Sequence, residues 1–377
     1  MRIAHLADLH FREASFEEAR KSIQTVIDEH KREPFDLIAI AGDTWDGPTQ
    51  NSARAKFAAF VDLIRGLANC APVAMIYGTP SHDSEGSLEV FEQIESSYGV
   101  TILRPGKKYF LVHRPVEERG EIIESPHSFD CAKAILFGVP EPNKKWLLAN
   151  QEATGKDNAD LAAQHSMRAL LLGLGGMRKQ HSDLHCVLLY HGQVRGAKTG
   201  TGFEADGGLA VTRDDLACVG ADYIALGDIH EPQQIPGIPA YYPGSIYPLN
   251  WGEGHKAGCN IVEIERSDGI KAGDPLFDQL AGFFTRLDRL DFPHPQRVKI
   301  SSRYVGEDFI TLQKNTFADI HGLGVLVWWD ITATREESAG IDVDTLLDEL
   351  MRFGALPGSR VTLTILPTET VRAGEIT

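Results

Sequence analysis

A layered α/β domain followed by a smaller α+β domain is the architecture this sequence predicts, on three observations. Short apolar runs recur through the first two thirds of the chain, and several of them end in Asp or His. The segments between the earliest runs have helical periodicity, which makes a βαβ start. Past about residue 275 this alternation gives way to scattered strands and one clear helix, so a boundary is expected between residues 270 and 280.

The first run, Ile3 to Ala7, ends in Asp8-Leu9-His10. Side chains alternate along a strand, so Asp8 and His10 leave on one side of a strand end, where open α/β sheets place their chemistry. A carboxylate oxygen and an imidazole nitrogen are ligands shared by Zn, Mn and Fe. Phe16 to Lys31 reads as an amphipathic helix with Phe16, Ile23, Val26 and Ile27 as its stripe. A second buried strand, Phe35 to Ala41, ends in Gly42-Asp43, and the glycine lets the backbone turn and clears space beside Asp43. Ala53 to Asn69 is a second helix, and Pro72 to Tyr77 a strand running into Gly78-Thr79-Pro80-Ser81-His82-Asp83.

Leu88 to Ser97 is expected to be helical, with strands at Val100 to Leu103, Tyr109 to His113 and Ala134 to Val139. Trp146 to Gln180 reads as helical with a polar middle. Cys186 to Tyr190 is a strand ending in His191-Gly192, followed by a glycine-rich loop from Arg195 to Gly208. Tyr223 to Leu226 leads to Gly227-Asp228-Ile229-His230, and β segments at Tyr241 to Ser245 and Gly258 to Ile264 complete the sheet. In the last part, Thr285 to Leu290, Arg297 to Ser301, Val325 to Thr332 and Val361 to Leu366 read as strands, and Val343 to Phe353 as a helix.

With 42% hydrophobic and 24% charged residues the chain has the composition of an ordinary globular protein. No apolar run approaches the roughly 18 residues of a membrane helix, and the N-terminus enters a strand directly, so a cytoplasmic location is expected. The five cysteines are widely spaced without a C-x-x-C pair, which fits reduced thiols and not a zinc site. A net charge of -16 excludes a broadly basic nucleic-acid coat. A metal cluster supplies local positive charge that a residue count omits.

The strand-end ligands collect as Asp8, His10, Asp43, Ser81-His82, His191, Asp228 and His230. Two divalent ions about 3.5–4 Å apart can activate a water and stabilise both oxygens of a phosphoryl transfer. Such a pair needs a bridging carboxylate, and Asp43 is the candidate. His5, inside its strand, reads as a satisfied core group. Asp46 either orients a water or closes a turn, and Asp83 fixes its loop.

The set His5-Leu-Ala-Asp8-Leu-His10, Asp36 to Asp43, Ser81-His82-Asp83, His191-Gly192, Ala225 to Gln233 and Tyr242-Pro-Gly-Ser245 with Gly252-Glu253 resembles the calcineurin-like metallophosphoesterases. More closely it resembles the SbcD-type double-strand-break repair nucleases, over roughly residues 1 to 265. The resemblance implies a four-layer metallophosphoesterase β-sandwich flanked by helices over residues 1–272, and a small α+β capping domain that binds DNA over residues 273–377. It implies one ion on Asp8, His10, Asp43 and His230, and a second on Asp43, His191 and the positions of Ser81 and Asp228. His82 takes the place of the residue that protonates the leaving oxygen. Two departures fall on the second ion. The usual G-N-H-D has two inserted residues and Ser81 for the ligating Asn, with Thr79 or water as the other ways to fill that place, and Asp228 replaces a histidine. The added carboxylate shifts preference toward harder ions such as Mn or Mg, with Fe and Zn as alternatives.

The implied activity is a Mn-dependent 3′ to 5′ exonuclease on duplex DNA ends and a single-strand endonuclease, in a homodimer that works with an SbcC-type coiled-coil ATPase. Arg195 and Lys198, following His191, are the cations expected on the DNA backbone. Arg104, Lys107 and Lys108 read as solvated loops. Two rivals stand beside this reading: a phosphoesterase for nucleotides or small esters, and a DNA-end-binding scaffold with decayed catalysis. Family members usually continue past the cap into helices that dock on the coiled-coil base, and this sequence stops at Thr370 to Thr377 short of them, which leaves a truncated chain and a different partner interaction both open; the ATPase partner is expected on resemblance alone.

Overall fold

The computed structural model describes residues 1–47, 54–114, 119–126, 131–141, 156–199, 209–251, 253, 255–266, 283–306, 309–318 and 321–366. The first part of the expected helix from Trp146, most of the glycine-rich loop and the last residues of the chain lie outside these. The chain divides into two units, Met1–Tyr247 with Ala257–Pro293, and Pro248–Lys256 with His294–Thr377. Among the described residues no helix is long and apolar enough to cross a membrane.

The first unit is built on two sheets. One has the order β13-β12-β1-β2-β3-β4, from β1 (Arg2–Leu6), β2 (Leu37–Ala41), β3 (Val73–Ile76), β4 (Val100–Ile102), β12 (Gly258–Arg266) and β13 (Phe283–Asp291). The other has the order β10-β11-β9-β8-β7-β5-β6, from β5 (Tyr109–Arg114), β6 (Arg119–Ile123), β7 (Ala132–Val139), β8 (His185–His191), β9 (Tyr223–Gly227), β10 (Gln233–Ile235) and β11 (Ala240–Tyr242). Strands β1 to β4 are mutually parallel, as are β7, β8, β9 and β11. Parallel strands covered on both faces read as continuous apolar runs, which is why they stand out in the sequence.

The period of two sorts the side chains into layers. Val187 and Leu189 of β8, with Tyr223 and Ala225 of β9, face Ile3, Leu37, Ala39, Ala74 and Ile76 of the first sheet in the core between the sheets. Cys186, Leu188 and Tyr190 point the other way, under Ala163, Met167, Leu171 and Leu174 of a long helix. Helices α1 (Phe16–Arg32) and α2 (Arg54–Ala68) flank the first sheet; α3 (Glu89–Glu92), α4 (Lys156–Lys179) and α5 (Arg213–Ala217) complete the unit. α3 is a single turn where a longer helix to Ser97 is expected. The observed layers are those of the expected sandwich flanked by helices.

His5 couples the two sheets from within. Its Nε2 lies 3.1 Å from the Leu226 carbonyl, which can only accept, so Nδ1 is left to accept from the Tyr223 hydroxyl at 2.8 Å. Burial holds its imidazole down at about 3, neutral, despite the raising effect of the carbonyl.

The division between the units falls later than the sequence suggests, after Pro293 instead of residue 272. All nine residues of β13 pair antiparallel with β12, Gly258↔Asp291 through Arg266↔Phe283, so β13 extends the first sheet. Residues 248–256 go with the second unit.

That second unit is a three-stranded parallel sheet, β14 (Arg297–Arg303), β15 (Leu326–Ala333) and β16 (Arg360–Ile365), with helices α6 (Phe309–Ala318), α7 (Arg335–Ser338) and α8 (Val343–Arg352). α8 starts where the Asp342 carboxylate accepts from the Asp344 and Thr345 amides. One sheet face packs Val327, Trp329 and Ile331 against Phe309, Phe317, Leu346 and Leu350. The opposite face carries cations and rings. Lys299, Trp328 and Arg360 lie side by side in register, and both cations stand 4.1 Å from the Trp328 ring. Trp251 meets the same Arg360 at 5.1 Å and Arg297 at 5.8 Å. Cation–π contacts of this kind hold flexible cations in a fixed row at a half-open surface.

Because His5 is kept neutral, it adds stability that is present above its ordinary value of 6.5 and lost as pH falls from there toward 3. Urea unfolding of the wild type and of His5→Gln, which keeps both hydrogen-bond partners, measures this. Between pH 6 and 4 the wild type is expected to lose stability faster, by up to about 1.4 kcal/mol per pH unit; parallel curves would rule out this titration as a source of acid sensitivity.

Candidate metal centre

The carboxyl ends of β1, β2, β3, β7, β8 and β9 meet along one edge of the sandwich, and every candidate ligand comes from one of them. The loops after β1 and β2 run on side by side: the amides of Asp8, His10 and Phe11 donate to the carbonyls of Gly42, Asp43 and Thr44 at 2.8–3.1 Å. Trp45 anchors the second loop, stacked on Phe57 and Phe91. Asp83, 2% exposed, anchors it again by accepting from the amides of Thr44, Trp45 and Gly78 at 2.9–3.2 Å. Burial pushes the Asp83 carboxyl up to about 6, against these three donors. Its place is that of a loop clamp.

Close approach at the centre demands glycine at three points. A Cβ on Gly42 would lie 2.3 Å from His191 Nδ1, one on Gly227 1.9 Å from the Ala41 carbonyl, and one on Gly78 2.1 Å from Asp43 Oδ1. Gly42 also has a left-handed backbone, φ 87°.

Two groups of ligand atoms converge within 4.8 Å of one another: Asp8, His10 and His230, and Asp8, Asp43 and His191. His10 Nε2 and His230 Nε2 face each other at 3.2 Å, and His10 Nε2 lies 3.8 Å from Asp43 Oδ2. His191 Nδ1 lies 2.7 Å from the Ala41 carbonyl, so that nitrogen carries the proton and Nε2 faces Asp43 Oδ1 at 3.3 Å. Asp8 Oδ2 is buried without a hydrogen-bond partner. Burial would neutralise both members of the Asp43–His191 pair, but each holds the other charged: Asp43 lies well below the carboxylate range and His191 is lifted to about 10. A buried anion and an orphaned carboxylate oxygen facing three imidazoles fit divalent cations bound by mixed oxygen and nitrogen donors.

A third group, His10, Asp46 and His82, adjoins the first. Asp46 Oδ1 lies 3.6 Å from His10 Nδ1 and 3.8 Å from His82 Nδ1, and the His10 and His82 rings meet edge to face at 4.7 Å. The facing His10 imidazole holds Asp46 below its ordinary value. Burial lowers His82 while the charges of Asp43 and Asp46 oppose it. Neither sequence reading of Asp46, a water-orienting or a turn residue, anticipates this carboxylate facing both histidines.

The remaining candidates are placed less centrally. Asp228 donates its backbone amide to Asp8 Oδ1 at 3.0 Å. Its half-buried carboxyl borders the cluster and is raised by burial and by Asp8 and Asp43, against His191 and His230. Ser81 is exposed on the turn after β3, and Thr79 instead stands beside Asp43. Arg195 and Lys198 are exposed on the loop after β8. Arg195 lines a cavity of about 200 Å³ with Gln164, Arg168, Thr212 and Asp215, none of them a candidate ligand. Sequence reasoning misses Glu141, two residues past β7 and raised by burial amid the fields of His191, Asp228 and Asp43. The signal for it is an acid directly after an apolar run ending in Val139-Pro140.

The chain is 24% identical over 285 residues to the SbcD component of the SbcCD nuclease of Rhodobacter capsulatus, covering 70% of this chain and 66% of that protein. It therefore spans just under two thirds of the relative's length. A family model described as Calcineurin-like phosphoesterase matches residues 1–232, a stretch that takes in each strand end at which the ligands converge. This chain belongs to the calcineurin-like phosphoesterase family.

Proposed function

We propose that the chain is a two-metal-ion DNA nuclease, a Mn-dependent 3′ to 5′ exonuclease on duplex ends and an endonuclease on single strands. It would act in DNA repair or recombination in the cytoplasm, as the SbcD-like homodimeric subunit of a complex with an SbcC-type ATPase. The observation that carries the reading is Asp43 lying between the two ligand groups, with one carboxylate oxygen 3.8 Å from His10 Nε2 and the other 3.3 Å from His191 Nε2. One ion falls to Asp8, His10, Asp43 and His230, the other to Asp43, His191 and an oxygen from the turn after β3, with Asp228 beside it. Bound there, the ions supply an activated water and positive charge for the phosphate oxygens.

The protein's own groups do the rest. His191 donates a hydrogen bond from Nδ1–H to the Ala41 carbonyl and keeps Nε2 for the centre. His82 has Asp46 facing Nδ1, which stabilises the protonated ring and leaves Nε2 to protonate the leaving oxygen. Asp46 orients His10 in the same way. The relative's name, a nuclease component, and the row of Arg297, Lys299 and Arg360 favour a polymeric phosphodiester over a small ester. On this reading the second unit is a capping domain that binds the DNA backbone.

Degradation of an end-labelled linear duplex with Mn²⁺, Mg²⁺ or no metal, beside a small aryl phosphodiester, tests the proposal. Duplex is expected to be degraded with Mn²⁺, and His82→Ala to lower the rate by about 10²–10⁴. Cleavage of the small ester alone would sink the DNA assignment, and cleavage of neither would favour a scaffold.

The role of the second unit has its own test. Lys299→Ala with Arg360→Ala is expected to weaken oligonucleotide binding in chelator and to reduce the slope of log K against log salt by about 2. An unchanged slope would remove this face from the DNA contact.

A further inference from the structure

We infer that Thr79, and not Ser81, supplies the side-chain oxygen of the second ion site, a deepening that rests on the two-ion reading above. The turn after β3 explains why. The Thr79 carbonyl accepts from the amides of His82 and Asp83 at 2.9 and 2.8 Å, closing a turn with Pro80 and Ser81 at its two central positions. Proline's fixed φ suits the first central position. The two inserted residues are thereby expelled together, and both are exposed. Thr79 stays at the strand end next to Gly78, which lies flat against Asp43.

Thr79 is also aimed at the centre. Its amide donates to Asp43 Oδ1 at 2.5 Å, and its hydroxyl lies 3.3 Å from Asp43 Oδ2 and 3.5 Å from His191 Nε2. The hydroxyl thus stands between the two side chains assigned to the second ion. A hydroxyl is a neutral, weakly donating ligand, so the second site is the weaker of the two. The carboxylates of Asp228 and Glu141 beside it offset part of that weakness for hard cations.

A hydroxyl that merely orients Asp43 predicts something different from one that ligates. Asp43 serves both ions, so its disturbance weakens both; loss of a second-site ligand weakens only one. The test is titration of the metal-free chain with Mn²⁺, free Mn²⁺ being read by electron paramagnetic resonance, for the wild type, Thr79→Val, Thr79→Ser and Ser81→Ala. The wild type is expected to bind two Mn²⁺ unequally. Thr79→Val should weaken the second by roughly tenfold or more and leave the first, while Thr79→Ser and Ser81→Ala keep both. Equal weakening of both ions by Thr79→Val, or loss of the second ion in Ser81→Ala, would overturn the assignment of Thr79 with the two-ion reading intact. One Mn²⁺ in the wild type itself would overturn both.

Discussion

The centre depends on backbone that leaves its strands the wrong way round. Among the described residues four non-glycines have left-handed φ, Asp8, His10, Asp43 and Asp228, at 53°, 43°, 50° and 100°, and all four are candidate ligands. Such a conformation costs about 1 kcal/mol or more each. Here it is held by hydrogen bonds the turned amides make: Asp8 to the Gly42 carbonyl, His10 to the Asp43 carbonyl, Asp228 to the Asp8 carboxylate. The turns let acids and imidazoles from adjacent strands converge where straight strands would keep their side chains a strand spacing apart. The core beneath is what makes this strain tolerable, because β1, β2, β8 and β9 are buried along their length and cannot yield.

Electrostatics then determines what the convergence is for. Asp8, His10, Asp43 and His191 are each no more than 3% exposed. Buried charge persists only when paired. Asp43 therefore keeps His191 protonated to about 10, with the proton on the very side where a cation would bind. Ion and proton compete for the same lone pair, and a divalent ion has the larger charge to offer the three surrounding acids. Asp8 Oδ2, buried with no hydrogen-bond donor facing it, is the other oxygen that a cation would satisfy.

Much of this is legible in the residues. Strands buried on both faces announce themselves as apolar runs, and each run's terminal Asp or His names itself. What fails to show has physical reasons. β13 carries charges at Arg286, Asp288, Arg289 and Asp291, with Leu287 and Leu290 three apart instead of two, as an edge strand can, and nothing in that pattern says which sheet it joins. α6 escapes a periodicity reading because polar residues, Gln313 and Thr316, stand four and seven places after Phe309, where a helical stripe needs apolar ones. The turn after β3 is ambiguous in sequence because an insertion can be absorbed on either side of the ligand. Pro80, which belongs at the first central position of a turn, is the signal that Thr79 stays with the strand.

Substrate choice rests on features that the metal-binding residues do not determine. A centre of this kind attacks any accessible phosphate ester, so selection falls to surfaces that hold the remainder of the substrate. On a chain of net charge -16, a polyanion is repelled except where cations are grouped. The second unit groups some of them against two tryptophan rings: Lys299 and Arg360 sit against Trp328, while Arg297 and Arg360 sit against Trp251. A cation paired to a carboxylate has its charge neutralised, whereas one held against a ring keeps most of it for a phosphate. Lys299 also has the Asp330 carboxylate at 3.6 Å. Cations from two strands, Arg297 and Lys299 on β14 and Arg360 on β16, grouped about Trp328 on the strand between, offer several charges on one sheet face, and a repeating phosphodiester uses such a group more fully than a single phosphate does.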